Sequence, residues 1–257
     1  MGAASRASLA VCVIAQDEEE RIGACLASVA FADEIVVVDS GSTDRTVGIA
    51  RAAGARVIER AWPGYVAQKN FALEQATTDW VLCVDADEQV SPQLAESIRN
   101  ALATAPASVA GYRMARRTLY LGRWILHGGW YPDYKVRLVR RGRARWGGVD
   151  PHDRLEAEGP VGTLAGDLEH RTYRDISDHL RTIDRFTSVA AGELHARGRG
   201  VALAGMLLNA PAKFLKMYVL KAGFLDGVPG FIVAALGSYY VFLRYAKLWE
   251  LRRVRRP

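Results

Sequence analysis

Neither of the common glycine-rich phosphate loops, GxxxxGK[ST] or GxGxxG, occurs in the 257 residues. A bound nucleotide would have to be held by metal and side chains rather than by a backbone cradle. Cysteine is scarce: Cys12, Cys25 and Cys83 show no CxxC spacing and read as small core hydrophobes in a reducing compartment. No long apolar stretch precedes a small-residue cleavage site near the N-terminus. Leu9–Ile14 is too short for a signal peptide and reads as a strand. Repeats and low-complexity tracts are absent. Half of the residues are hydrophobic, which excludes global disorder and supplies a sizeable core, for one domain or a domain with an appendage.

The formal charge of +6 is unevenly placed. From Gly205 to Pro257 nine cations face only Asp226 and Glu250, a net +7, so residues 1–204 carry about −1. Basicity therefore describes the partner of the tail, and no nucleic-acid groove is expected in the body.

The first hundred residues alternate strand and helix. Leu9–Ala15 is an apolar strand ended by Gln16-Asp17-Glu18-Glu19-Glu20, acidic residues that fit an electropositive helix start. Ile22, Leu26 and Val29 form a helical stripe. Ile35–Val38 is a buried strand broken by Asp39-Ser40-Gly41-Ser42-Thr43-Asp44. A helix to about Ala53, a strand at Arg56–Glu59 and a helix over Ala67–Thr77 follow. Trp80–Val84 is the next strand, closed by Asp85-Ala86-Asp87-Glu88, and Ser91-Pro92 caps another helix. Repeated βα units with strands apolar on both faces predict an α/β fold, a doubly wound, mostly parallel sheet with helices on both faces. Beyond Gly111 the strand candidates are Gly111–Arg117, Lys135–Arg140 and Leu164–Glu169, separated by Gly-, Trp- and His-rich loops that suggest a site. Ile176–Ala196 reads as a helix. Val201–Leu251 reads as an apolar helical region broken at Pro211, Asp226-Gly227 and Pro229-Gly230.

Two strands end in carboxylates, Asp39 and Asp85, and ligands of open parallel sheets bind at the carboxyl ends of strands. Asp85-Ala86-Asp87 adds a second carboxylate one residue on, an arrangement suited to Mg²⁺ or Mn²⁺ with waters and phosphate oxygens completing the shell.

On these motifs Leu9–Glu88 resembles the nucleotide-binding half of inverting family 2 glycosyltransferases with the GT-A fold. Gln16-Asp17-Glu18-Glu19 is similar to that family's Tyr-Asn-Glu-Glu-like motif, with Asp17 in place of Asn. Val37-Val38-Asp39-Ser40-Gly41-Ser42-Thr43-Asp44 is similar to its second-strand motif, Val-Val-Asp-x-x-Ser-x-Asp, and Asp85-Ala86-Asp87 to its metal motif. The resemblance implies that Asp39 hydrogen-bonds the base, Glu18 lies beside the nucleoside with Ser42 in the donor site, Asp85 touches ribose or metal, and Asp87 ligates the metal. Related polyprenyl-phosphate sugar transferases imply that Gln89 completes the metal shell. Lys69, on the helix after the third strand, is a candidate for the diphosphate, the alternative being a solvated helix lysine.

His127-Gly-Gly-Trp-Tyr-Pro-Asp133-Tyr-Lys-Val-Arg137-Leu, Pro151-His152-Asp153, Glu169-His170 and Gly223-Phe-Leu-Asp226-Gly227 are similar to bacterial lipopolysaccharide core-biosynthesis glycosyltransferases. Those proteins typically carry His-Glu where His152-Asp153 stands, a carboxylate one methylene longer.

Inverting transfer needs a carboxylate to take the acceptor hydroxyl's proton, while metal neutralises the departing diphosphate. Asp153 is the first candidate for that base and Asp133 the second; loop capping or arginine pairing is the alternative for each. His152 and His170 are candidates for a metal or phosphate contact, or structural histidines. Trp124, Trp130, Tyr131 and Trp146 form either a sugar-stacking wall or a small core. Arg137, Arg140, Arg141, Arg143 and Arg145 contact phosphate or are a solvated strand edge, the second reading being favoured.

In the tail, Val228–Leu243 is apolar but short of the ~18–20 residues of a spanning helix. Tyr239, Tyr240 and Tyr245 fit a lipid interface, and Arg252–Arg256 fit anionic headgroups at ~1 kcal/mol per cation. Met206–Leu251 is expected to form broken amphipathic helices lying in the interface, with a re-entrant or spanning hairpin, or a helix pair packed on the catalytic domain, as alternatives. The expected organisation is a catalytic domain at 1–200, with donor half 8–105 and acceptor half 106–200, and a membrane-associating segment at 201–257.

The expected activity is inverting, metal-dependent transfer of a sugar from a nucleotide-sugar donor, UDP-linked by resemblance, to a lipopolysaccharide-core or other lipid-linked glycan. The expected place is the cytoplasmic face of the bacterial inner membrane. The alternatives are a polyprenyl-phosphate sugar transferase, which needs no base, and a non-catalytic membrane-bound scaffold. A nucleotidyltransferase is disfavoured, because Gln16–Glu20 is acidic where that class carries a glycine- and arginine-rich loop.

Overall fold

A computed structural model describes residues 6–149, 152–198 and 203–253. They divide into two compact units, one of residues up to 116 together with 133–170, the other of 117–132 together with 171 onward.

The first unit begins with β1 (Leu9–Ala15), α1 (Ile22–Ser28), β2 (Glu34–Asp39), α2 (Thr46–Ala52), β3 (Arg56–Glu59), α3 (Tyr65–Glu74) and β4 (Trp80–Asp85). After it come β5 (Glu88–Val90), α4 (Pro92–Thr104), β6 (Gly111–Tyr120), β8 (Asp133–Arg140), β9 (Ala144–Val149), β10 (His152–Ala157) and β11 (Val161–His170). Its main sheet has the order β3-β2-β1-β4-β8-β6-β11-β5. The first three neighbouring pairs are parallel; β4 pairs antiparallel with β8, β8 with β6, and β11 with β5. The sheet is thus mixed, parallel through the βα half and antiparallel beyond it. β5 is two residues from β4 in sequence yet closes the opposite edge of the strand order. Only a sheet that curls back on itself satisfies both facts, and Ala86-Asp87 is the link where it does so.

Strand alternation divides the core. Leu9, Val11 and Val13 of β1 face Ile22, Cys25, Leu26, Leu94 and Ile98, the side covered by α1, α2 and α4. Ala10 and Cys12 face Ala72, Trp146 and Leu155, the side covered by α3 and the β9–β10 hairpin. All three cysteines are free and buried, as expected. Ser91 caps α4 by accepting from Leu94 N at 3.3 Å, with Pro92 in the first turn. Gly166 of β11 (φ +92°) approaches that helix start so closely that a Cβ would lie 2.4 Å from Leu94 N.

The second unit holds the end of β6, which pairs with β7 (Arg123–Ile125), then α5 (Ile176–Ala196), α6 (Leu203–Leu215), a π turn (Lys216–Leu220), a 3₁₀ turn (Gly223–Asp226) and α7 (Gly227–Arg253). Two of the expected tail breaks are absent. Pro211 lies inside α6, and the α-helix gives way to the π turn only at Lys216. Pro229 falls in the first turn of α7, where its missing N–H is not needed. The break at Asp226-Gly227 is present. Gly223–Arg253 is long and apolar enough to cross a membrane by length and composition. On α7 the exposed side chains include Val228, Phe231, Tyr239, Phe242 and Trp249, an apolar stripe at helical spacing. Pro151, the His152 side chain, Arg255 and Arg256 lie outside the described residues.

Candidate functional site

The turn after β2 is built around Asp39, which is 1% exposed. Its Oδ2 accepts from the backbone N–H of Gly41 (2.9 Å) and Ser42 (2.8 Å), and its Oδ1 from the Ser42 hydroxyl. Ser42 Oγ in turn accepts from Asp17 N at 2.9 Å, Asp17 Oδ1 accepts from Thr43 N at 2.8 Å, and Glu18 N donates to Thr46 Oγ1 at 2.7 Å. The two acidic loops are knitted into one rim. Asp17 has φ +53°, a left-handed conformation that aspartate and asparagine tolerate better than other side chains. That accounts for Asp replacing Asn at this position. The Glu18 side chain pairs with Arg21 at 2.7 Å.

At the end of β4, Glu88 is fully buried and its Oε2 accepts from Asp85 N at 3.0 Å, fixing the turn. Asp85 has one oxygen on Lys69 Nζ (2.8 Å) and the other on Arg137 Nη2 (2.7 Å). Arg137 bridges to Glu88 Oε1 at 3.0 Å. Burial alone would raise the Asp85 carboxyl; Arg137 and Lys69 outweigh it and hold it well below the usual carboxylate range. Lys69 also meets Asp153 Oδ2 at 2.9 Å and lies over the Trp146 ring at 4.4 Å. Burial opposes its charge, yet Asp85 and Asp153 leave its ammonium raised. Lys69 is therefore buried between two carboxylates and is not a solvated helix lysine.

Asp87 points elsewhere. Its Oδ2 is 3.2 Å from His170 Nε2 and 3.9 Å from Arg21 Nη1. Burial would raise it, but His170 brings it below its ordinary value. The juxtaposition follows from register, since His170 of β11 stands opposite Glu88 of β5. Gln89 lies half-buried opposite Glu169, on the other strand face from Glu88. Among the described residues no three His, Cys, Asp or Glu form a metal-holding group. One carboxylate and one imidazole still suit a divalent ion that keeps several positions for water and phosphate oxygens. Both Asp85 oxygens are already paired with cations, which leaves Asp87 and His170 as the pair that could hold such an ion.

Of the two base candidates, Asp153 pairs with Lys69, and not with the adjacent Arg154, which pairs with Glu156. Asp133 pairs with Arg116 (2.8 Å) and Lys135 (3.1 Å); these cations outweigh burial and lower it. The aromatic candidates divide. Trp146 is buried beneath Lys69 and Arg137, whereas Trp130 packs with Tyr120, Tyr173 and His179 in a small core of the second unit. In the basic run Arg140 covers Trp80 at 4.4 Å and Arg143 donates to a backbone carbonyl, as a strand edge would.

Sequence reasoning missed Glu88 and Arg116, and undervalued Arg137. A cation inside Val136-Arg137-Leu138-Val139 was the available signal, because a charge in an apolar strand needs a buried counter-charge.

The model of glycosyl transferase family 2 matches residues 10–155, more than half the chain and every βα unit described above. The chain belongs to glycosyl transferase family 2. It is an enzyme, a glycosyltransferase with the GT-A fold. The lipopolysaccharide core biosynthesis glycosyltransferase LpsC of Rhizobium meliloti is 31% identical over 249 residues, 94% of this chain and 92% of the relative. An uncharacterised glycosyltransferase of Rickettsia typhi is 30% identical over 93% of this chain and 86% of its own length. Among solved structures, a mannosyltransferase of Pyrobaculum calidifontis in complex with GDP-Man and Mn²⁺ aligns with TM-score 0.56 at 15% identity, covering 96% of this chain and 88% of that one. The mannosyl-3-phosphoglycerate synthase of Rubrobacter xylanophilus aligns with TM-score 0.50 at 18% identity over 77% of each chain. At these identities the structural likeness is one of fold.

Proposed function

We propose that this family 2 glycosyltransferase transfers a sugar, with inversion, from a nucleotide-sugar to a hydroxyl of a lipopolysaccharide-core or related lipid-linked glycan. The observation that carries the reading is the linked set at the end of β4: Asp87 with His170 on one side, and Asp85–Lys69–Asp153 on the other. The likeness to LpsC supports the acceptor class, and the Mn²⁺ and GDP-Man of the Pyrobaculum structure support the donor class.

Asp87 and His170 would hold a divalent cation, Mn²⁺ or Mg²⁺, with Gln89 as a further candidate. When bound, the cation supplies charge neutralisation to the departing diphosphate. The rim formed by Glu18, Asp39 and Ser42 receives the nucleoside, with Asp39 holding the turn's shape. Arg137 and Lys69 keep Asp85 ionised, and Lys69 fixes Asp153 beside it. Asp153 takes the acceptor hydroxyl's proton, with Lys69 keeping the carboxylate oriented. Asp133 serves as the second candidate. The apolar stripe of α7 and the exposed Leu207, Leu208, Leu215 and Leu220 rest in a membrane interface, which keeps the enzyme in the plane of an amphiphilic acceptor on the cytoplasmic face.

Release of nucleoside diphosphate from a panel of UDP- and GDP-sugars, with and without Mn²⁺ and with core lipopolysaccharide as acceptor, tests this. Acceptor-stimulated release from one donor is expected. Glycosylation of a polyprenyl phosphate in place of the core glycan would favour the phosphate-acceptor alternative.

A further inference from the structure

The second unit contains a cavity of about 420 Å³, made wholly of its own residues. Its floor is apolar and aromatic, including Trp130, Met217 and Val233. His179 also lines it, and burial lowers that imidazole to about 4, so it is neutral at physiological pH. Lys213, Lys216 and Lys221 line the same cavity. The Lys221 chain lies over Gly129, so close that a Cβ there would sit 2.5 Å from Nζ, and Lys213 crosses α7 beside Gly237.

Among the described residues no carboxylate pairs with any of the three lysines. Burial, then the charges of Lys221, Lys216 and Arg244, push the Lys213 ammonium below its ordinary value. Arg244 keeps a buried Nε donor without a partner. Lys213, Lys216 and Lys221 are exposed, so water screens their mutual repulsion and leaves three ammonium groups beside the cavity free to meet an anion. Nearby exposed Leu215, Val219, Leu220 and Phe224 are apolar, which selects an anion carried on an amphiphile.

We infer that this cavity binds the terminal phosphate, a phosphomonoester, of an anionic lipid, with Lys213, Lys216 and Lys221 meeting the phosphate and the lipid's apolar part against the exposed leucines. The inference deepens the interfacial reading of α6 and α7 and is independent of the donor chemistry.

The test uses the full chain, Lys213→Gln/Lys221→Gln, and Lys213→Arg/Lys221→Arg. Each is partitioned onto vesicles of phosphatidylcholine alone, and of phosphatidylcholine with phosphatidic acid or phosphatidylserine at equal surface charge. Each cation near an anionic surface is worth about a fivefold change in partition. The double glutamine variant is therefore expected to bind phosphatidylserine vesicles roughly thirty-fold more weakly from general charge alone, to lose clearly more than that on phosphatidic acid, and to melt as the parent does. The double arginine variant keeps the parent's binding. Equal losses on both anionic lipids would reduce the lysines to general surface charge and overturn the site. Stabilisation of the parent alone by inorganic phosphate, with vesicle binding unchanged between variants, would assign the cavity to a soluble anion and overturn the lipid. If the unmodified chain binds no vesicle, the interfacial reading fails as well; if it binds and the lysine variants match it, only the site fails.

Discussion

Removing the Arg137 guanidinium takes a buried cation from two carboxylates at once. Arg137 is 4% exposed, and its Nη2 meets Asp85 at 2.7 Å and Glu88 at 3.0 Å. In Arg137→Met, Asp85 keeps Lys69 at 2.8 Å and Glu88 keeps Arg116 at 3.4 Å. The loss should fall near the lower end of the range for breaking a buried ion pair, about 3 kcal/mol. Arg137→Lys restores the charge but not one nitrogen shared between two carboxylates, so it should recover only part of that loss. The exposed Arg145 provides the control, since Arg145→Met should change stability by under about 0.5 kcal/mol. Urea unfolding followed by tryptophan fluorescence measures all three. A loss below about 1 kcal/mol for Arg137→Met, close to the control, would refute the claim that Asp85 and Glu88 depend on this cation.

Asp153→Asn should lower kcat by roughly 10²–10⁴ with little change in donor KM, whereas Asp133→Asn should cost less than about tenfold; steady-state kinetics with a saturating donor separates them, and a reversed order would move the base to Asp133. His179 is held near 4 by burial against an ordinary value of 6.5, and it is stacked on Tyr173 at 4.1 Å with Nδ1 3.0 Å from the Tyr120 hydroxyl. Protonation therefore favours the unfolded chain. Its contribution is complete above about pH 6.5 and is lost as pH falls toward 4, on the order of 3 kcal/mol in all. Thermal unfolding across that window should show the slope in the parent and a flatter one in His179→Gln.

The parallel half of the sheet was legible because its signals are local: β-branched runs ended by acids, and helices begun by residues such as Ser91-Pro92. The antiparallel wing was harder. β9 and β10 carry Gly147, Gly148 and charged residues, and Asn70 on α3 docks β9 by exchanging hydrogen bonds with Trp146 N (2.8 Å) and O (2.9 Å). That is a contact between residues 76 apart, which no window of sequence displays. Asp39, Asp85 and Asp87 were readable as strand-end carboxylates. Their division of labour was not, because β5–β11 register brings His170 to Asp87, and β8 brings Arg137 to Asp85. The continuity of α7 was obscured by Pro229-Gly230, whose meaning depends on whether a helix starts or continues there. Asp226 in the Gly-Phe-Leu-Asp-Gly motif is a structural anchor, accepting from Leu126 N (3.1 Å), His127 N (2.8 Å) and the His127 ring (2.9 Å).

Under the proposed mechanism Asp87, two residues past β4, holds the cation of the sugar nucleotide. Mn²⁺ titration of nucleoside diphosphate release by the parent and by Asp87→Asn addresses it directly. The parent's turnover should rise with Mn²⁺ to a plateau, and that of Asp87→Asn should stay on the order of 10²-fold lower at every concentration. Identical titration curves for the two proteins would contradict the account.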